Sequence, residues 1–106
     1  GWDVETSIRC IRDLEDCHLT LVEQPIPPGD YTGLARVRHE TGAKILADES
    51  CFDLIHAQEL IRHNCCDAIS LYPGKNGGIR KAREIADLAA QYDIACSIGS
   101  NLEWDV

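Results

Sequence analysis

The chain has 106 residues, enough for at most one small domain, and 44% of them are hydrophobic and 26% charged, as in ordinary globular proteins. The formal net charge of -8 argues against a protein that binds nucleic acid or a membrane surface, because both of those partners are anionic. No apolar run approaches the roughly 18 residues of a membrane-spanning helix, and no basic-then-apolar signal segment opens the chain.

Helix-like and strand-like segments alternate along the chain. The first helix is predicted to begin near Asp3, and the second near Asp30 or Thr32 with its end at Gly42. A third follows Ser50, and a fourth follows the two glycines at 77–78. The predicted strands are four short apolar runs at 19–23, 44–48, 68–72 and 94–98. Strands that do not alternate with polar residues are expected to be buried on both faces, as in parallel sheets.

The strand starts are 25, 24 and 26 residues apart, a spacing typical of βα units with right-handed crossovers. Such units build either an open doubly wound sheet or a closed (β/α)8 barrel. Four strands are too few to close a barrel, which takes about 250 residues. The chain also begins at a helix and ends just after a strand. It is therefore predicted to be an α/β chain of about four consecutive βα units, one part (1–106) of a larger domain.

Acidic residues end the first two predicted strands: Glu23 ends one, and Asp48 and Glu49 end the next. Polar residues follow the other two strands, namely Tyr72, Lys75, Ser97, Ser100 and Asn101. In a parallel βα array all strand carboxyl ends lie on one rim, where active sites form. Carboxylates crowded there repel each other unless a cation lies between them, and Mg²⁺ suits an all-oxygen site. The alternative is that these acids are exposed loop charges or helix caps.

Two other features carry weaker signals. The glycine-rich segment at 73–78 could cradle a phosphate at a helix N-terminus, but it lacks the Walker and GxGxxG spacings, and a plain strand-to-helix connection is the favoured interpretation. The six cysteines form no CxxC pair. We interpret them as reduced thiols of a cytoplasmic protein, with Cys96 as a small core residue.

Four motifs occur in an order and spacing that resemble a known family: VEQP at 22–25, ADES at 47–50, GKNGGI at 74–79 and GSNLEWD at 99–105. The chain resembles, over essentially all its length, the C-terminal barrel domain of the mandelate racemase and muconate-lactonising branch of the enolase superfamily. The resemblance implies a modified (β/α)8 barrel with a separate capping domain. It also implies a cytoplasmic, homo-oligomeric, Mg²⁺-dependent lyase or isomerase, such as an acid-sugar dehydratase, cycloisomerase or epimerase. Such enzymes remove the proton alpha to the carboxylate of a small substrate.

The resemblance also implies roles for single residues. Glu23 matches the second metal ligand of the family, Asp48 the third, and Glu49 the neighbouring acid that some subgroups use instead. The first metal ligand, in an Asp-x-Asn motif, is expected shortly before Gly1. A Lys-x-Lys motif, which supplies one base in many relatives, is expected on an earlier strand. With those parts absent, this chain alone is expected to be inactive. The capping domain and the remaining strands are likewise expected outside it.

The expected acid–base residues depart from the family pattern. Tyr72 stands where many relatives carry a lysine base, and Lys75 matches the later lysine of KxGG. Tyrosine, with an unperturbed pKa near 10, is a poorer base than a tuned lysine but a good proton donor. This argues against two-base racemisation, and a one-base lyase or dehydratase reaction fits at least as well. Ser100 and Asn101 are candidate substrate-binding residues. A non-catalytic relative and an unrelated open-sheet binding module remain as alternatives.

Overall fold

A computed structural model of the chain describes residues 1–100. Its four strands form one parallel sheet in the order β1-β2-β3-β4, so each strand pairs with the next one in the sequence. The strands are β1 (Val22–Glu23), β2 (Ile45–Ala47), β3 (Ala68–Leu71) and β4 (Ala95–Ile98). All four are shorter than predicted, but each lies inside its predicted run.

Helices occupy the connections between strands. They are α1 (Val4–Asp13), α2 (Tyr31–Thr41), α3 (Leu54–Arg62), α4 (Pro73–Asn76) and α5 (Ile79–Ala90), with a short 3-10 turn at Glu15–Cys17. Aspartates cap three of them: Asp3, Asp30 and Asp53 each accept a hydrogen bond from a backbone N–H in the first turn, at 2.8–3.0 Å. The predicted α1, α2, α3 and α5 are confirmed, and Gly42 ends α2 with φ 68°.

The core lies between the sheet and the helices. Fully buried side chains from three helices and two central strands form it: Leu34, Val37, Ile45, Leu60, Ile69, Leu71 and Ile85. No helix within residues 1–100 is long and apolar enough to cross a membrane.

The structure corrects three expectations. β2 and β3 are buried as predicted, but all four residues of β4 are exposed, because β4 lies at the edge of the sheet in the described part of the chain. Cys96 is therefore exposed and is not a core residue. Residues 73–76 form the short helix α4 rather than an open turn, and Gly77 and Gly78, with φ 77° and 109°, separate it from α5.

An ion pair joins α2 to the amino ends of two central strands. The Arg38 guanidinium donates to both carboxylate oxygens of Asp67, at 2.6 and 2.9 Å, and the backbone N–H of Ile45 donates to the same carboxylate at 2.9 Å. The pKa of Asp67 is lowered from its usual value, chiefly by the hydrogen bonds from Arg38. This pair lies at the opposite end of the sheet from the predicted site and is a purely structural contact.

Candidate active site

The register of the sheet places the predicted site residues on one face. Glu23 pairs with Leu46, and Leu46 pairs with Ala68. Side chains alternate along a strand, so residues an even number apart lie on the same side. Asp48 follows Leu46 by two positions and Tyr72 follows Ala68 by four, at the carboxyl ends of their strands. The shared edge that the sequence predicts is therefore present.

Lys75 makes direct contact with Asp48. Its Nζ lies 2.6 Å from Asp48 Oδ1, 2.8 Å from the Asp48 carbonyl oxygen and 2.7 Å from the Ser70 carbonyl oxygen. The Lys75 side chain is only 2% exposed and the Asp48 side chain 15% exposed. The ammonium also lies 4.6 Å from the centre of the Tyr72 ring, a cation–π contact. Helix α4 brings Lys75 back over the end of β3 and so makes this contact possible.

Gln24 ties the loop after β1 to the loop after β2. Its side-chain oxygen accepts hydrogen bonds from the backbone N–H groups of Asp48 and Ser50, at 3.0 and 3.1 Å. Its amide donates to Ser50 Oγ at 2.9 Å and to the Ile26 carbonyl at 2.8 Å. Gln24 has φ 35°, a backbone conformation that non-glycine residues rarely adopt. Such a conformation beside two acidic residues is typical of a functional site.

Tyr72 is held in place by its surroundings. Asn76, which is 2% exposed, accepts a hydrogen bond from the Tyr72 backbone N–H and donates to the carbonyls of Cys51 and Phe52. Gly99, after β4, approaches closely, since a Cβ there would lie 3.2 Å from Tyr72 Cδ1 and 2.8 Å from Ser70 Oγ. A side chain at position 99 would therefore force Tyr72 or Ser70 to move.

Three buried cysteines carry un-ionised thiols: Cys51 in the loop after β2, and Cys65 and Cys66 before the amino end of β3. Burial raises the pKa of Cys51 to about 12 and that of Cys66 to about 12, and it raises the pKa of Cys65 to about 11. These cysteines are neutral thiols near pH 7, and a neutral thiol is neither a good nucleophile nor a good metal ligand.

The acidic residues differ in their surroundings. Glu23 and Glu49 are exposed and line a cleft of about 350 Å³ together with Gly1 and Gln24, whereas Asp48 is turned toward Lys75. Within residues 1–100, no three acidic, histidine or cysteine side chains lie close enough together to hold a metal ion by themselves.

Mg²⁺ fits this donor set in part. Hard carboxylate oxygens are the ligands that Mg²⁺ prefers, and the register puts Glu23 and Asp48 at one edge of the sheet. Lys75 offsets part of the negative charge, and the Asp48 Oδ2 atom makes no hydrogen bond within the described residues. Glu23 and Asp48 could therefore supply carboxylate oxygens to such an ion, and further ligands would have to come from outside the described residues.

The structure describes only part of the candidate segment after the fourth strand. Ser97 pairs with Ser70 on the face that carries Tyr72, while Ser100 is exposed and makes no hydrogen bond or ion pair within residues 1–100. Asn101, the other candidate for substrate binding, lies outside the described residues.

Sequence reasoning missed Gln24 and Asn76. Both side chains are amides next to strand ends. The position of Gln24 between an acid and a proline, in Glu23-Gln24-Pro25, could have indicated a residue of the site. Nothing in the sequence indicates which backbone groups they would bind.

Comparison with known proteins identifies the class of protein to which this arrangement belongs. A family model described as enolase C-terminal domain-like matches residues 1–106. The chain is 36% identical over 103 residues to the hydrophobic dipeptide epimerase of Enterococcus faecalis, covering 97% of this chain and 29% of the epimerase. It is 38% identical over 103 residues to the chloromuconate cycloisomerase of Pseudomonas putida, covering 97% of this chain and 28% of that enzyme.

A solved structure supports the same assignment. The E. faecalis dipeptide epimerase complexed with Mg and the dipeptide L-Leu-L-Tyr superimposes with a TM-score of 0.88 at 36% identity, covering 92% of this chain and 27% of that one. The fold is thus that of part of an enolase-type C-terminal barrel, as predicted. The chain belongs to the mandelate racemase and muconate-lactonising branch of the enolase superfamily. It spans less than a third of the length of these relatives.

Proposed function

We propose that this chain is a segment of the C-terminal barrel domain of a Mg²⁺-dependent isomerase or lyase that removes the proton alpha to the carboxylate of a small substrate. The observation that carries the proposal is the alignment of Glu23 and Asp48 at the carboxyl ends of adjacent strands, beside a buried lysine and a tyrosine. Membership of a family whose relatives are epimerases and cycloisomerases supports it.

In this proposal Glu23 and Asp48 hold the metal, with Glu49 as the alternative acid. Bound Mg²⁺ would act as a Lewis acid toward the carboxylate group of the substrate. A third ligand is proposed to precede Gly1 in the intact protein. Gly1 lines the same cleft as Glu23, so a residue just before it would approach the site.

Tyr72 is the proposed acid–base group on this side of the site. It lies on the same face as the two metal-binding acids, with its main chain fixed by Asn76. A phenol is better suited to giving a proton than to taking one near neutral pH. We therefore favour a reaction in which Tyr72 donates a proton and a base from an earlier strand removes one.

The proposed substrate is a small carboxylate, and dipeptides are the first class to examine because two similar proteins are named dipeptide epimerases. Ser100 and Asn101 are proposed to contact it. The intact protein is proposed to be a cytoplasmic homo-oligomer, in keeping with six cysteines that are all free thiols.

Hydrogen exchange tests this function directly. The intact protein with Mg²⁺ in D₂O is expected to exchange the α-hydrogen of its substrate for deuterium, measured by NMR across a panel of dipeptides and acid sugars. EDTA is expected to stop the exchange, and added Mg²⁺ to restore it. Exchange that survives removal of all divalent metal would contradict the proposal. A residue other than aspartate at the expected position before Gly1 would favour a non-catalytic relative instead.

A further inference from the structure

The ammonium group of Lys75 is fully engaged. A lysine ammonium has three N–H donors and no acceptor. Here the Nζ atom lies within 2.8 Å of three oxygens, two from Asp48 and one from Ser70, and the side chain is 2% exposed. A base must present a free nitrogen lone pair to the substrate, whereas three oxygen acceptors surround this nitrogen and its side chain is buried. The geometry therefore disfavours an acid–base role for Lys75.

Asp48 is fixed on three sides by these contacts. Gln24 accepts the hydrogen bond of its backbone N–H, and Lys75 binds both its carbonyl oxygen and its Oδ1 atom. The carboxylate cannot rotate freely about its terminal bond without losing the 2.6 Å contact to Lys75. Oδ2, which makes no hydrogen bond within the described residues, is thus the oxygen left free for a metal ion, while Lys75 competes for Oδ1.

We infer that Lys75 is a positioning residue that makes Asp48 a one-oxygen ligand and thereby favours Mg²⁺ over Ca²⁺ at this site. This inference rests on the proposed function. Mg²⁺ requires nearly ideal octahedral geometry with six ligands, which single oxygens provide. Ca²⁺ takes six to eight oxygens and commonly binds both oxygens of one carboxylate. An ammonium hydrogen-bonded to Oδ1 competes with the larger ion for the second oxygen.

The test compares Mg²⁺ and Ca²⁺ binding to the intact protein by isothermal titration calorimetry. Lys75→Met keeps most of the side-chain volume but removes the ammonium. We expect the ratio of Ca²⁺ affinity to Mg²⁺ affinity to rise about tenfold or more, the size that groups behind metal ligands typically produce. Lys81→Met removes the same charge from an exposed position on α5 and is expected to leave the ratio unchanged. If Lys75 had only a structural role, the substitution would lower the affinities for Mg²⁺ and Ca²⁺ by the same factor and leave their ratio unchanged.

The outcomes separate the two claims. If the wild-type protein binds Mg²⁺ and the ratio is the same in Lys75→Met, the inference is wrong while the proposed function stands. If the wild-type protein binds neither ion, the proposed function fails and the inference fails with it.

A second measurement on the wild-type protein covers the case in which Lys75→Met does not fold. Infrared difference spectra distinguish a carboxylate bound through one oxygen from one bound through two, and bands lost in Asp48→Asn are assigned to Asp48. We expect the one-oxygen signature with both Mg²⁺ and Ca²⁺. A two-oxygen signature of Asp48 with Ca²⁺ would overturn the inference.

Discussion

Replacing Glu23 with glutamine is expected to lower kcat/KM of the intact protein by about a thousandfold. The change removes a negative oxygen ligand from the proposed metal site while it preserves size and shape. Metal stabilisation of charge in the transition state is worth several kcal/mol, and each 1.4 kcal/mol corresponds to about a factor of ten in rate. The measurement is steady-state kinetics at saturating Mg²⁺, with the melting temperature recorded in parallel.

Glu84→Gln is the matched control for this substitution. Glu84 lies exposed on α5 and its contact with Arg80 is a loose 3.9 Å. This variant is expected to keep the wild-type kcat/KM. An unchanged kcat/KM in Glu23→Gln would remove Glu23 from the metal site and with it the strongest support for the proposed function.

Replacing Asp67 with asparagine is expected to reduce the free energy of unfolding by about 1–3 kcal/mol at pH 7. The change weakens two charge-assisted hydrogen bonds from Arg38 and one from the Ile45 backbone. Both side chains of the ion pair are less than 30% exposed, so water replaces these bonds only in part. Urea denaturation of the wild-type and variant proteins measures the difference.

The pH dependence of that difference gives a further check. Because the pKa of Asp67 is lower in the folded protein than in the unfolded chain, its contribution is fully present above the ordinary aspartate value of about 4. It is lost as the pH falls through the folded pKa, so the stabilities of the two proteins should begin to converge as the pH falls below about 4. Asp87→Asn removes an exposed pair with Arg83 and is expected to change stability by less than about 0.5 kcal/mol. An Asp67→Asn effect as small as that one would contradict the structural role of the Arg38 contact.

The order of elements could be predicted from the sequence because it depends on local signals. Apolar runs 24 to 26 residues apart define the strands, and Asp3, Asp30 and Gly42 mark helix boundaries through their own side chains or backbone freedom. The shared edge of Glu23 and Asp48 followed from the parallel topology alone. These features need no knowledge of which side chains touch.

The contacts within the site could not be predicted in the same way. The contact between Lys75 and Asp48 depends on the short helix α4, whose sequence predicted a glycine-rich turn. That Gln24 binds the backbone of Asp48 depends on a positive φ angle that no local pattern indicates. The exposure of Cys96 depends on the position of β4 at the sheet edge, whereas its apolar neighbours suggested a buried strand.

The central claim is that Glu23 and Asp48 bind one divalent metal ion. The most direct measurement is a crystal structure of the intact protein with Mn²⁺ in place of Mg²⁺, located by its anomalous scattering. We predict one strong peak at the carboxyl ends of β1 and β2, about 2.0–2.3 Å from a carboxylate oxygen of each residue, with Asp48 Oδ1 still bound to Lys75. A fully occupied Mn²⁺ site elsewhere, or no peak between these two side chains, would contradict the claim.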